Sequence, residues 1–318
     1  MPISQIKGRI VAVYNYFMAL LPVRLANQLI WIDRQSNWSI SIYEGQSFQN
    51  LQPTTVVTNP VLTRRDVTDI VAAFVADPFL VRGANEWLMF FEVFNHHSQK
   101  GEIAFARSQD GYRWNYQQII IAEDFHLSYP YVFESGSTWY MIPESCEANS
   151  IRLYRAKKFP GTWEFVQEIS IGSRFVDASI LNFNDIWWLF VGIEPTEGSP
   201  CNLMKLYYAD SLLGEWVEHP QSPIVKDSVE ISRPAGRVQI VANRPVRFAQ
   251  DCTKTYGYNV RAIAIESLTK STYIEAQIPL DSHYLFKLGT MSCNHIGMHH
   301  IDFVSTDDDR CIACVDMR

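Results

Sequence analysis

The chain has few cysteines, few basic residues and no long apolar segment. Six cysteines in 318 residues do not form a disulfide framework, so we expect a reducing compartment and predict a cytoplasmic location. A formal net charge of -7 argues against a nucleic-acid partner, which would need a basic face. No apolar run approaches the roughly 20 residues that span a bilayer. The sequence therefore predicts neither nucleic-acid binding nor a transmembrane segment.

Motifs that indicate several common chemistries are also absent. The chain has no Walker loop, no dinucleotide glycine fingerprint, no His-Glu-x-x-His motif and no Gly-x-Ser-x-Gly turn. Residues 1–36 have a basic start and an apolar middle, but Asn15 and two tyrosines interrupt the apolar stretch and no cleavage site follows. We expect a short helical or irregular arm here rather than a signal peptide.

One pattern occurs five times along the chain. Each copy has a small cluster of polar residues or proline, then an apolar strand, a short turn and a second strand, in most copies rich in aromatic residues. The starts of the copies lie roughly 50 to 65 residues apart, within the range of repeat architectures. They align at Asp77, Tyr129, Asp177, Arg233 and His300.

Further hairpin patterns lie between these copies, so each repeat supplies two hairpins. Two hairpins form a four-stranded blade, and five blades around one axis form a five-bladed β-propeller, an all-β fold. The last copy ends after two strands, and the alternating segment "NWSISIYEG", from Asn37 to Gly45, is suited to supply a missing strand. We predict an arm at 1–36 and a propeller at 37–318 that is closed by an N-terminal strand.

The propeller prediction brings ionisable side chains together. The innermost strand of each blade lines the axial channel, so residues at the starts of these strands converge on one mouth. They are Asp77, Ser128 with Tyr129, Asp177, Arg233, Arg237, His299, His300 and Asp302, while Glu92, Glu144, Gln250 and Asp251 arrive on the returning strands. Buried charges are costly unless they are paired or used. Two interpretations stay open: a salt-bridge network that plugs the channel, and a binding or catalytic site.

Histidines and cysteines near the C-terminus raise the question of a metal. Four residues have side chains that bind zinc, namely Cys293, His295, Cys311 and Cys314. The last two fall on a predicted strand and would face opposite sides, which argues against a zinc site. His299 or His300 beside Asp302 offers a general acid or base, or ligands for a central metal. The sequence requires no cofactor, and a metal ion near His300 stays an alternative.

Six short motifs carry a family resemblance. In order along the chain they are "ADPF", "HLSYPYVFE", "YMIPES", "SRPAGR", "AQDC" and "GMHHID". Together they resemble the propeller domain of plant glucosamine inositolphosphorylceramide transferases and of uncharacterised bacterial relatives, from about Trp38 to the end of the chain. That domain in turn resembles the five-bladed furanosidase superfamily of arabinanases, xylosidases, invertases and levansucrases. The second resemblance rests on the fold and on the Asp-Pro motif of the first blade.

The resemblance to furanosidase-like enzymes implies catalytic roles. In those enzymes an Asp of the first blade is the general base or nucleophile, a second Asp orients, and a Glu is the general acid. Asp77 matches the first role and Asp177 the second. The Glu-Gly-Pro or Glu-Cys-Pro setting of the acid is missing, so Glu144 in "IPES" is the candidate acid, with Glu92 behind it. The alternative role for Glu144 is that of an ion-pair partner to an axial arginine.

Two classes of function follow. The leading prediction is a glycoside hydrolase-like or glycosyl-transferring enzyme that acts on a sugar or glycoconjugate, and arginine forks permit an acidic or phosphorylated one. The alternative is a non-catalytic glycan-binding module that assists a glycosyltransferase, because the plant propellers are joined to a separate transferase domain. The predicted catalytic residues are Asp77, Glu144 and Asp177, and the predicted substrate-binding residues are Glu92, Tyr129, Arg233, Arg237, Asp251, His300 and Asp302.

Overall fold

A computed structural model describes residue 18 and residues 20–30, 37–278, 297–306 and 310–318. In this part of the chain five antiparallel sheets surround one axis as the blades of a propeller. The predicted five-bladed all-β fold is confirmed. No helix among the described residues has both the length and the apolar character needed to cross a membrane.

The elements follow one another blade by blade. A short helix, α1, spans Val23–Leu29 and is followed by β1 (Ser39–Gly45) and β2 (Gln52–Pro53). The first blade contains β3 (Ala72–Arg82), β4 (Trp87–Asn95), β5 (Lys100–Ser108) and β6 (Asn115–Ile121). The second contains β7 (Ser128–Ser135), β8 (Thr138–Glu144), β9 (Ser150–Lys158) and β10 (Thr162–Ile171).

The remaining three blades repeat this plan with shorter outer or inner strands. The third contains β11 (Phe175–Phe183), β12 (Ile186–Ile193), β13 (Leu203–Ala209) and β14 (Val217–Glu218). The fourth contains β15 (Arg233–Pro234), β16 (Gln239–Val241), β17 (Arg244–Asp251), β18 (Asn259–Leu268) and β19 (Tyr273–Gln277). In the fifth, β20 (Ile301–Ser305) and β21 (Cys311–Met317) join β1 and β2.

The position of a strand within its blade decides its sequence pattern. In β4 the first seven residues are all buried, because neighbouring blades cover both faces of the sheet near the axis. In β10, the outermost strand of its blade, no residue is fully buried. Trp114, Trp163 and Trp216 pack near the outer edges, and each indole N–H donates to a carbonyl three or four residues earlier in the chain. These tryptophans stabilise the outer parts of the blades.

The N-terminal segment closes the ring. The segment expected to supply a missing strand forms β1, which pairs with β21 from Ser39 opposite Met317 to Gly45 opposite Cys311. Farther upstream, α1 is fastened to the start of the first blade by Asn27, whose side-chain amide donates to the carbonyls of Val67 and Ile70. The fifth blade is therefore built from both ends of the described chain.

The two described cysteines of the suggested zinc set lie on opposite faces of β21. Cys311 packs in the apolar cluster that contains Phe248, whereas Cys314 packs in the cluster that contains Phe91. This is the arrangement expected for residues three apart on a strand. Cys293 and His295, the other two members, lie outside the described residues.

Candidate axial site

Three of the innermost strands share a backbone distortion near their starts. Asp77, Tyr129 and Asp177 have φ angles of 53°, 46° and 52°, in the left-handed region. At each of them the pairing with the second strand of the blade shifts register, which marks a β-bulge. A bulge redirects the side chain that it carries. The three positions aligned from sequence are thus structurally equivalent.

A cavity of about 130 Å³ lies where the inner strands begin. Its lining combines three carboxyl groups, one guanidinium, two imidazoles, a hydroxyl and aromatic walls. These residues are Asp77, Glu92, Glu144, Arg233, His126, His299, Ser128, Trp38, Phe74, Phe94 and Tyr256. At roughly 30 Å³ per water molecule, the cavity admits one small group of a ligand rather than a whole oligosaccharide.

Arg233 joins carboxylates from two neighbouring blades. Its Nε donates to Asp177 Oδ2 at 2.5 Å and its Nη2 donates to Glu144 Oε2 at 3.1 Å. Gln250 donates from Nε2 to the same oxygen of Asp177 at 2.7 Å. The guanidinium also lies 5.3 Å from the ring centroid of Tyr256. Asp177 is therefore committed to two donors, while Glu144 shares Arg233 and still lines the cavity.

A second network joins the first blade to the last. Asp316 Oδ2 lies 2.6 Å from His299 Nδ1 and accepts from the backbone N–H of Asp77 at 3.1 Å. Its other oxygen, Oδ1, accepts from the backbone N–H groups of His299 and His300, both at 3.0 Å. His299 Nε2 in turn lies 3.8 Å from Asp77 Oδ1. The imidazole stands between a saturated carboxylate and a carboxyl group that faces the cavity.

The carboxyl groups of the cavity are held near the protonated form. Burial raises the pKa of Asp77 to about 7, although His299 opposes the shift. Burial, followed by repulsion from Asp77 and Glu144, raises the pKa of Glu92 well above its ordinary value. Burial and the charge of Asp177 also raise the pKa of Glu144, against the attraction of Arg233. Glu92 and Glu144 therefore favour the protonated form at neutral pH, whereas Asp77, with a pKa of about 7, has both forms available.

The imidazoles of the cavity differ in charge. Burial lowers the pKa of His299, but Asp316 more than offsets this, so the pKa is raised and the cation is favoured. Burial lowers the pKa of His126, which favours the neutral ring. The Nδ1 atom of His126 accepts from the backbone N–H of Gly101 at 2.8 Å, so Nε2 carries the proton and points at Glu92 Oε1, 3.5 Å away.

Five of the predicted binding residues do not line the cavity with their side chains. The Tyr129 hydroxyl reaches across the channel to Gly236. It accepts from the backbone N–H of Gly236 and donates to the carbonyl of the same residue. Arg237 pairs with Asp302, with Nε 3.1 Å from Oδ1, and donates to the Val132 carbonyl. These contacts brace the channel below the cavity.

The last two of the five, Asp251 and His300, also lie outside the cavity lining, although His300 Nδ1 comes within 3.8 Å of Asp77 Oδ1. Asp251 Oδ2 accepts from Arg261 at 2.8 Å. His300 is fully buried and meets the edges of Phe79 and Tyr129, with ring centroids 4.6 and 5.2 Å away. Burial lowers the pKa of His300 to about 4, so the ring is neutral. The strands named from the sequence do meet at the axis, but these five side chains lie outside the cavity lining.

The suggested metal near His300 can be compared with the side chains around it. Among the described residues, the group whose ligand-type atoms all lie within 4.8 Å of one another is Asp77, His299 and Asp316, without His300. In that group His299 and Asp316 form a close ion pair, with Nδ1 and Oδ2 2.6 Å apart. The described side chains do not form a ligand set around His300.

Sequence reasoning missed the aromatic walls and Asp316. Trp38 and Tyr256 come from segments outside the aligned copies, and no local pattern identifies them. Asp316 was within reach, because it lies on the second strand of the fifth blade, as Glu92 and Glu144 lie on the second strands of the first and second blades. Extension of that register to "CIACVDMR" would have found it.

Replacement of Asp77 by asparagine will reduce the pH dependence of stability. Folding raises the pKa of Asp77 from 3.8 to about 7, so its contribution to stability is complete below about pH 4 and is lost as pH rises through about 7. Asparagine tolerates the left-handed φ of 53° and carries no charge. Urea unfolding measures the free energy of unfolding of both proteins at both pH values. The difference, variant minus wild type, will be more favourable to the variant at pH 8 than at pH 5.

Asp110→Asn is the matched control for this experiment. Burial opposes it, but hydrogen bonds from Arg113 and Tyr112 lower the pKa of Asp110 to about 2, so its charge is unchanged between pH 5 and pH 8. Its effect on the free energy of unfolding will be equal at the two pH values. If Asp77→Asn behaves in the same way as this control, burial does not hold Asp77 near neutrality.

Comparisons with known proteins agree with this architecture. The family described as glucosamine inositolphosphorylceramide transferase 1, N-terminal, matches residues 31–317. Glucosamine inositolphosphorylceramide transferase 1 of Oryza sativa subsp. japonica is 35% identical over 287 residues, which cover 85% of this chain and 38% of that protein. The Arabidopsis thaliana protein of the same name is 32% identical over 301 residues, covering 89% and 39%. The chain spans about two-fifths of the length of these curated relatives.

Solved structures share the fold at low sequence identity. A GH62 α-L-arabinofuranosidase catalytic domain from Coprinopsis cinerea has a TM-score of 0.59 at 10% identity, covering 88% of this chain and 96% of that one. An exo-1,5-α-L-arabinanase from a bovine ruminal metagenomic library has a TM-score of 0.56 at 10% identity, covering 77% and 95%. These likenesses concern the fold alone. By its sequence match over nearly the whole propeller, the chain belongs to the glucosamine inositolphosphorylceramide transferase 1 N-terminal family.

Proposed function

We propose that this chain is a carbohydrate-active protein whose axial cavity cleaves or transfers a glycosyl group. The observation that carries the proposal is the convergence of Asp77, Glu144 and Arg233 from three blades on one buried cavity. Two further facts support it. The relatives carry the name glucosamine inositolphosphorylceramide transferase 1, and the structures that share the fold are named as an arabinanase and an arabinofuranosidase.

The two candidate reacting carboxyl groups have different surroundings. Cleavage of a glycosidic bond needs one protonated carboxyl to assist the leaving oxygen and one ionised carboxyl as base or nucleophile. Glu144, with its pKa raised mainly by burial, suits the acid. Asp77 faces the cationic His299 and suits the base or nucleophile. Asp177 holds Arg233 in place beside Glu144 and acts as the orienting residue.

The cavity wall supports recognition of a sugar. Phe94 and the exposed Tyr256 offer aromatic surfaces against which the apolar face of a sugar ring packs. Glu92 and Ser128 offer polar atoms for its hydroxyl groups. Because Arg233 already donates to two carboxylates, a neutral glycosyl group suits the cavity itself. In an acidic or phosphorylated substrate, the anionic group would bind outside it.

A glycan-binding module without catalysis is the second candidate. Arg233 bonds both Glu144 and Asp177, which is also the arrangement of a structural ion-pair network. The match to only about two-fifths of each curated relative suits an accessory domain. In this case the cavity would hold one sugar unit of a glycan while a separate domain performs transfer.

Turnover measurements on two variants test the enzymatic proposal. The purified chain is incubated with a panel of p-nitrophenyl glycosides of pentoses, hexoses and amino sugars, together with saturation-transfer NMR for binding. Asp77→Asn and Glu144→Gln each remove one proton-transfer group, so we expect kcat on any accepted glycoside to fall about 10²- to 10⁴-fold while binding is retained. Glu164→Gln, on the outer strand β10, is the control with unchanged turnover.

The outcomes separate the candidates. Full activity in both cavity variants rejects the assigned roles. Binding without turnover in the wild type, lost on cavity substitution, supports the glycan-binding module instead. The metal ion near His300 and the cytoplasmic location stay predictions, which metal analysis of the purified protein and cell fractionation check.

A further inference from the structure

His299 is held in a single orientation from several sides. Its ring stacks on Trp38 with centroids 4.1 Å apart and an interplanar angle of 15°, and the edge of Tyr256 meets it at 5.3 Å. Gly257 is required beside this stack, because an added Cβ would lie 2.9 Å from both Trp38 Cη2 and His299 Cβ, and its φ is 61°. Together with the 2.6 Å contact between Nδ1 and Asp316, these contacts leave only Nε2 facing the cavity.

The distance from Nε2 to Asp77 Oδ1 also matters. At 3.8 Å it is too long for a direct hydrogen bond, and both residues line the cavity. An oxygen atom at ordinary hydrogen-bond distance from both atoms fits between them. Water and a sugar hydroxyl are the two sources of such an oxygen, for hydrolysis and transfer respectively.

We propose that His299, oriented by Asp316, is a catalytic residue that binds the attacking oxygen together with Asp77 and, as a cation, stabilises the carboxylate form of Asp77. The inference rests on the function proposed above and adds a role for two residues outside the predicted catalytic set. His299 contacts the attacking oxygen directly, whereas Asp316 is a positioning residue that acts through His299.

In the proposed step one bond forms, one bond breaks and two protons move. The attacking oxygen forms a bond to the anomeric carbon while its proton moves to Asp77, and the bond from that carbon to the leaving oxygen breaks as Glu144 gives up its proton to it. His299 donates its Nε2–H to the attacking oxygen throughout and keeps its own proton. The reset is a proton exchange in which solvent takes the proton from Asp77 and returns one to Glu144.

The charges around the imidazole favour this assignment. Asp316 faces His299 from β21, Asp77 from β3 and, farther away, Asp177 from β11, and all three attract a cation. His300 lies next to it in the chain and is neutral at pH 7, since burial lowers its pKa to about 4. Arg233 is bonded to Asp177 and Glu144, which limits its repulsion. Burial opposes the charge on His299, but these carboxylates outweigh it.

Paired NMR titrations of the full chain test the proposal. The Asp77 carboxyl carbon is assigned by its disappearance in Asp77→Asn, and the His299 ring nitrogens by their loss in His299→Gln. In Asp316→Asn we expect the His299 midpoint to fall, because the carboxylate that favours its cation has been removed. The same change also relieves the repulsion of Asp77 by Asp316, so the Asp77 midpoint is read in His299→Gln instead. His299→Gln removes the cation and keeps Asp316, so we expect it to raise the Asp77 midpoint by about one unit or more.

His126→Gln is the matched control, because it removes the neutral imidazole of the same cavity and will leave the Asp77 midpoint in place. With an accepted glycoside, the acidic limb of the pH profile of kcat will move upward in His299→Gln while KM changes little. An Asp77 midpoint that is unchanged in His299→Gln overturns the inference. If the midpoints shift but no glycoside is turned over, the proposed reaction fails while the control of Asp77 by His299 is upheld.

Discussion

A chain that begins at residue 46 will not fold cooperatively, because the ring cannot close without β1. Trp38, Ile40, Ile42 and Tyr43 are each 5% exposed or less. Burial of one large apolar side chain contributes about 1.5–3 kcal/mol, so four contribute about 6–12 kcal/mol, comparable to the whole stability of a typical domain at about 5–15 kcal/mol. The deletion also leaves β21 as an exposed edge along its whole length.

Circular dichroism and calorimetry on a deletion series measure this effect. A chain that begins at residue 37 removes α1 but keeps β1, so we expect a lower melting temperature with one cooperative transition. A chain that begins at residue 46 will show no cooperative transition and will aggregate. An unchanged melting temperature in the second deletion would falsify the closure of the ring by β1.

Replacement of Arg233 by methionine will lower the free energy of unfolding by about 3–5 kcal/mol at pH 8, because it leaves buried carboxylates without their counter-ion. The side chains of Asp177 and Glu144 are 2% and 8% exposed, and the guanidinium bonds both of them. Without the attraction of Arg233 the pKa of Glu144 will rise further above its unfolded value, so the deficit is larger at high pH and shrinks as pH falls toward 5. Urea unfolding at both pH values measures it.

Two further variants serve as controls for this prediction. Asp177→Asn and Glu144→Gln, combined with Arg233→Met, remove the charges together and will recover much of the lost stability, since neutral residues of similar size tolerate burial. Arg113→Met breaks an exposed pair with Asp110 and will leave the melting temperature nearly unchanged. If Arg233→Met is no more destabilising than Arg113→Met, the axial charges do not depend on one another.

The fold was predictable from sequence because the signal is repeated. Each blade carries its own alternating strands and turns, so errors at one strand do not change the count of five. Closure was predictable too, because a blade with two strands must obtain others, and only the segment from Asn37 has the right alternation before the first repeat. The convergence of four residues on one cavity was predictable as well, because alignment of equivalent strand positions is enough to identify them. These residues are Asp77, Glu92, Glu144 and Arg233.

The tertiary structure decided how far along the channel each charged side chain lies and with which group it pairs. Arg233 and Arg237 are four residues apart in one motif, yet the first bonds Asp177 and Glu144 at the cavity and the second bonds Asp302 below it. These choices depend on distances between blades, which the twist of each sheet and the bulges at the strand starts establish.

Sequence by itself thus determined the blade count, the closing strand and which strand ends meet at the axis, because periodicity and alternation are local properties of the chain. Only the tertiary structure decided which ionisable groups face the cavity, which neutralise one another, and that Trp38, Tyr256 and Asp316 complete the site around His299. The physical reason is that charge pairing and burial act between residues far apart in sequence, across distances that no local pattern encodes.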